Sequence, residues 1–132
     1  MPLHDAHICA FTATTDAARA RAFYEGVLGL HLVEDGPYAL VFDHNGTMLR
    51  VQKVQAHTPP PFTALGWNVA DIGAEVAALT GRGVRFERYG FLPQDEHGIW
   101  TTPDGARIAW FLDPDGNTLS LAQHPVAVTQ AG

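Results

Sequence analysis

Positive charge is scarce in this sequence. Eight Lys and Arg, of which only Lys53 is a lysine, stand against fourteen Asp and Glu, for a net charge of −6. A nucleic-acid binder carries a basic stripe and a surface-bound membrane protein a basic amphipathic face, so neither partner class is expected. Cysteine is nearly absent as well: Cys9 alone can form no intrachain disulfide and no four-cysteine zinc site. No apolar run approaches the ~20 residues of a membrane span. Residues 1–5 lack the basic segment and apolar core of a signal peptide, so a soluble, cytoplasmic protein is expected. What is present is apolar and aromatic: 46% hydrophobic residues, with three Trp, three Tyr and seven Phe in 132 residues. That is the composition of one packed domain rather than a disordered chain.

A weak internal repeat organises the chain. The β-rich stretch His7–Thr14 leads to Asp16, an N-cap for a helix over Ala17–Leu28 that closes at Gly29. Phe62–Val69 is strand-like in the same way, Asp71 caps a helix over Ile72–Arg82, and Gly83 closes it. Asp16 and Asp71 differ by 55 and Gly29 and Gly83 by 54. Leu30–Glu34 and Val84–Arg88 read as the strands that follow. Tyr38–Asp43, a turn at Asn45-Gly46 and Thr47–Val54 then match Ile108–Asp113, the turn Pro114-Asp115-Gly116 and Asn117–Gln123, all offset by 70. The change from 54 to 70 places an insertion of about 16 residues near 89–106, where Pro93 and Pro103-Asp104-Gly105 are turn signals. Two strand–helix–strand–strand–strand modules result, about 6–54 and 62–123, joined by a linker over 55–61 that contains Pro59–Pro61.

The pattern Asp16…Phe23-Tyr24…Leu28-Gly29 followed by Asp113-Pro114-Asp115-Gly116-Asn117 resembles the glyoxalase/bleomycin-resistance/extradiol-dioxygenase (vicinal oxygen chelate) superfamily, over roughly Ala6 to Gln123. The resemblance implies an α+β fold: two βαβββ modules forming an open U-shaped sheet with a concave cleft. It implies a homodimer, and chemistry on the concave face at a divalent metal held by His and Glu. Carried over by position, the family's metal ligands fall on Cys9, Arg50, Ala64 and Ser120. This is not a His/Glu set, and an arginine there repels a divalent cation. No metal or other cofactor is therefore expected.

Strand alternation sorts the remaining residues. Leu49 and Val51 should face the helices, leaving Arg50 and Gln52 on the polar side; Leu119 and Leu121 likewise leave Ser120 and, beyond the strand, His124. Arg50 is either paired with a sheet carboxylate or free to bind a carboxylate, phosphate or enolate oxygen of a ligand. Cys9 is either a small buried hydrophobe or a thiol activated by Arg50. Trp100 and Trp110 are core residues or pocket walls. The run Gln94-Asp95-Glu96-His97-Gly98 is a solvated loop, or a lid whose Asp95 or Glu96 works with His97 as an acid/base pair. Asp113-x-Asp115-x-Asn117 has its glycine at the wrong place for a calcium loop.

The leading expectation is a small-molecule-binding protein whose ligand contacts are Arg50, Gln52, Cys9, Ser120, Trp100 and Trp110. The alternative is a metal-dependent lyase, isomerase or dioxygenase with ligands displaced to His7, His124, His97 or Glu96; Cys9, Glu96 and His97 are then the catalytic candidates. A third reading leaves the cleft vestigial and the modules serving protein–protein contact.

Overall fold

Asp16 and Asp71 start their helices with almost the same backbone, φ/ψ of −142°/92° and −140°/93°. Each carboxylate accepts the N–H three residues on, from Arg19 and from Ala74, both at 3.1 Å. One otherwise orphaned helix donor is satisfied in each case. These helices belong to a computed structural model that describes residues 2–125. The first is α-helical over Ala17–Arg21 (α1) and continues as a π-helical turn over Ala22–Val27; the second is Ile72–Gly81 (α2). α2 ends in a Schellman closure: Gly83, at φ +95°, donates to Thr80 O and Val84 donates to Leu79 O, both at 3.0 Å.

The one-residue mismatch between the repeats has a structural counterpart. Asp16 to Gly29 is one residue longer than Asp71 to Gly83. A π turn hydrogen-bonds five residues back and so takes up one residue more than an α turn. The first helix shows that bond, from Leu28 N–H to Phe23 O at 2.9 Å.

The chain divides into two compact units, Met1–Pro59 and Pro60–Gly132. The first holds β1 (Cys9–Thr14), β2 (His31–Asp35), β3 (Ala39–His44) and β4 (Thr47–Lys53) in the order β1-β4-β3-β2. The second holds β5 (Thr63–Asn68), β6 (Trp100–Thr101), β7 (Arg107–Leu112) and β8 (Thr118–Gln123) in the matching order β5-β8-β7-β6. In both, the first strand pairs in parallel with the last and the other pairings are antiparallel. The fold is α+β, two modules of one topology. Among the described residues no helix is long and apolar enough to cross a membrane.

The alternation expected from sequence sets the core. Leu49, Val51, Leu119 and Leu121 are buried, whereas Arg50 and Ser120 are half-buried on the other face. In the first unit the buried Tyr24 from the π turn meets Phe42, ring centroids 5.9 Å apart. In the second, Phe111 stacks on Trp67 at 6.4 Å and meets Phe86 edge-on at 5.4 Å. Thr12 is the exception: its Oγ1 is buried with no hydrogen-bond partner among the described residues. An unpaired buried hydroxyl is destabilising, so Thr12→Val should raise stability by about 1 kcal/mol. A higher urea midpoint with an unchanged slope is the expected readout.

One expected strand is corrected. Val84–Arg88 does not form a strand; only Phe86 bridges to Phe111, and the Glu87 N–H donates to Trp110 O at 2.7 Å. The chain then leaves the sheet and the edge resumes at Trp100–Thr101, opposite Ile108 and Arg107. The inserted residues interrupt the edge strand instead of following it. An edge strand has a neighbour on one side only, so the chain can leave and rejoin there without opening the inner ladders.

Candidate functional site

On the first unit's sheet, the face away from α1 carries Cys9 and Phe11 from β1 and Met48, Arg50 and Gln52 from β4. Register places Phe11, Arg50 and Val41 side by side. Arg50 is half-buried, and no hydrogen bond or ion pair holds its guanidinium among the described residues. The sheet-carboxylate pairing considered above does not form. Cys9 is half-buried, its Sγ lying 3.8 Å from Ala10 O, and Gln52 is exposed. Cys9, Arg50 and Gln52 thus share a face, with Arg50 N–H groups available to an oxygen ligand.

On the second unit, Ser120 lies between Gly66 and Trp110 in the ladder. A Cβ built on Gly66 would stand 2.6 Å from Ser120 Oγ, so the glycine makes room for that hydroxyl. Ala64 falls at the irregularity between the pairs Thr63–Thr118 and Leu65–Leu119 and has no partner in register.

Beside Ser120, an aromatic wall rises from the sheet. Trp100 and Trp110 stack, centroids 6.2 Å apart at 25°. Tyr89 meets Trp110 edge-on at 5.4 Å and lies 5.9 Å from Phe91. With Phe62 and Thr118 they line a depression of about 540 Å³. Phe91 and Phe62 are 83% and 65% exposed, an unusual position for large apolar side chains. Burial, and then the charge of Glu87, push the Tyr89 phenol up, so it stays neutral near pH 7. Trp100 and Trp110 were legible as pocket candidates; Tyr89, Phe91 and Phe62 were not. The available signal was the pair Tyr89 and Phe91, aromatics within an inserted loop where polar residues are the rule.

The loop that supplies Tyr89 and Phe91 is held from inside. Gln94 Oε1 accepts the Tyr89 N–H at 2.7 Å, and its Nε2 donates to Glu87 O and Gly98 O, both at 2.9 Å. Asp95 Oδ1 accepts the N–H groups of His97 and Ile99 at 2.9 Å. Burial pushes the Asp95 carboxyl up, but those two N–H groups and the charges of His97 and Arg107 outweigh it and hold the group below its usual range. Asp95 therefore staples the loop. Glu96 and His97 are exposed and line none of the aromatic depression. His7 is exposed ahead of β1, and His124 is half-buried beyond β8.

A sequence model of the Glyoxalase/Bleomycin resistance protein/Dioxygenase superfamily matches residues 6–121. The chain belongs to this superfamily. No curated protein matches it. Solved structures that resemble it include a glyoxalase family protein from Bacillus anthracis, at 17% identity over 91% of this chain and 95% of that one, with a TM-score of 0.70. Lactoylglutathione lyase from Agrobacterium tumefaciens is similar at 18% identity over 89% and 92%, TM-score 0.69. A superfamily member from Sphaerobacter thermophilus is similar at 25% identity over 90% and 97%, TM-score 0.69.

The superfamily's divalent metal needs imidazole and carboxylate ligands, and the chain does not provide them at the positions the resemblance marks. Those positions hold Cys9 and Arg50 in the first unit, Ala64 and Ser120 in the second. Ala64 has no donor atom, and the Arg50 guanidinium is a fixed cation. Among the described residues no three His, Cys, Asp or Glu side chains converge.

Proposed function

We propose that this superfamily member binds a small, flat organic molecule on the aromatic wall of its second unit, without a His/Glu-held metal. The observation that carries the reading is the partly exposed group of Tyr89, Phe91, Trp100 and Trp110 around one depression. Its volume is in the range of small-molecule sites, which are mostly apolar with a few polar groups; here Thr63 and Thr118 supply hydroxyls. Indole faces favour offset stacking with another flat ring. The Gln94 and Asp95 hydrogen bonds fix the loop before any ligand arrives, which lowers the ordering cost of binding.

Two of the three tryptophans lie in the wall, so intrinsic fluorescence reports on it directly. A panel of flat heteroaromatic compounds and saturated analogues of equal size is titrated against the protein, with and without a chelator. Saturable quenching by flat compounds, matched by a rise in Tm, is expected, with affinity unchanged by chelation. Equal binding of saturated and flat compounds removes the stacking basis. Affinity lost on chelation and restored by one transition metal would favour the metal-dependent enzyme.

A further inference from the structure

A second depression, of about 410 Å³, lies at the C-terminal end of α2 and shares no lining residue with the aromatic wall. Thr80, Gly83, Arg85, Arg88, Glu96 and His97 line it. Three of the chain's eight cations, Arg82, Arg85 and Arg88, fall in this one short stretch, although the whole chain carries −6. Arg85 has no hydrogen bond or ion pair among the described residues. Arg88 Nη2 donates to Glu96 O at 2.7 Å, which anchors its guanidinium at the wall and leaves its other N–H groups free to bind. The helix end offers these arginines little compensation, because Gly83 and Val84 N–H groups already occupy the carbonyls of Thr80 and Leu79. Among the described residues that line it, Glu96 is the one carboxylate; it is exposed, with Oε1 3.7 Å from His97 Nε2.

We propose that this depression is a binding site for a phosphate group, free or esterified to a small molecule. Two guanidinium forks lining one depression, Arg85 and Arg88, suit the paired oxygens of a phosphate dianion. The Thr80 hydroxyl and the His97 ring add further donors. Arg88 also ties the site to the loop that carries Tyr89 and Phe91. The site stands on its own residues, independently of what the aromatic wall binds.

The test is calorimetric titration of the intact chain with inorganic phosphate and with glycerol phosphate, at constant ionic strength set with chloride. Saturable binding is expected, weakened tenfold or more in Arg85→Gln, because a charge-assisted bidentate contact is lost. Arg85 is exposed and unpaired, so that variant should fold as the parent does. Glu96→Gln should bind several-fold more tightly, a like charge having been removed from the rim. Tighter binding of glycerol phosphate than of inorganic phosphate assigns the site to an esterified group, and the reverse order to the free ion. No saturation by either compound at millimolar concentration overturns the proposal. So does an affinity unchanged in both Arg85→Gln and Glu96→Gln, which would mean an adventitious ion only.

Discussion

Asp113→Ala is expected to destabilise the protein by about 3 kcal/mol, enough to lower Tm by roughly 10 °C. Asp113 is only 5% exposed, and its carboxylate gathers the turn before β8. Oδ1 accepts the N–H groups of Asp115 and Asn117 at 3.0 and 2.9 Å, and Oδ2 accepts Asn117 Nδ2 at 2.8 Å. Asn117 is itself buried, so losing the carboxylate strands its donors away from water, the costly side of hydrogen-bond deletion. Asp113→Asn should lie between, since one amide oxygen remains while the new NH₂ meets another NH₂. The counterpart in the first unit is the control. Asp43 is exposed at the end of β3, before a turn whose Asn45 and Gly46 take φ of 52° and 87° unaided. Asp43→Ala should change stability by no more than about 0.5 kcal/mol. Urea unfolding of the three variants compares them directly.

Trp110→Leu should weaken binding of flat ligands by tenfold or more while the fold persists. Trp110 is the middle of the wall, in contact with both Trp100 and Tyr89. Its removal takes away a stacking face and two ring contacts together, and buried aromatic anchors commonly contribute ~2 kcal/mol or more to binding. Leucine retains apolar cover on β7, so the stability loss should be much smaller than that of Asp113→Ala. Quenching titrations on the variant read Trp100 alone within the wall, and a second variant, Trp100→Leu, reads Trp110 alone. Undiminished affinity in both variants would place the ligand elsewhere.

Features governed by neighbouring residues were legible in the sequence. The two aspartate caps, the closing glycines, the Asn45-Gly46 hairpin and the inward Leu49, Val51, Leu119 and Leu121 follow from local hydrogen bonding and side-chain alternation. The edge of the second sheet was not. Val84, Phe86 and Arg88 alternate as a strand should, but whether an edge segment pairs depends on where an insertion leaves the ladder. The site divides in the same way. Trp110 was readable from its strand and Trp100 was singled out within the insertion, whereas Tyr89, Phe91 and Phe62 reach the wall through tertiary placement of loops. Glu96 and His97 line the second depression and not the one that holds the tryptophans, and the hydrogen bonds of Gln94 and Asp95 set the course of the loop between them.

The excursion between Glu87 and Trp100 leaves β7 opposite Trp110 and returns opposite Ile108 on the same strand. Its ends are therefore pinned by ladder hydrogen bonds whatever lies between them. For a loop closed in this way, doubling the length adds only about 0.6 kcal/mol of closure entropy. Residues 88–97 can thus be exchanged as a cassette, with Tyr89 and Phe91 replaced, the buried Ile99 kept in the core and the sheet left standing. On the proposed reading, ligand preference in this unit is open to change by loop grafting without redesigning the core.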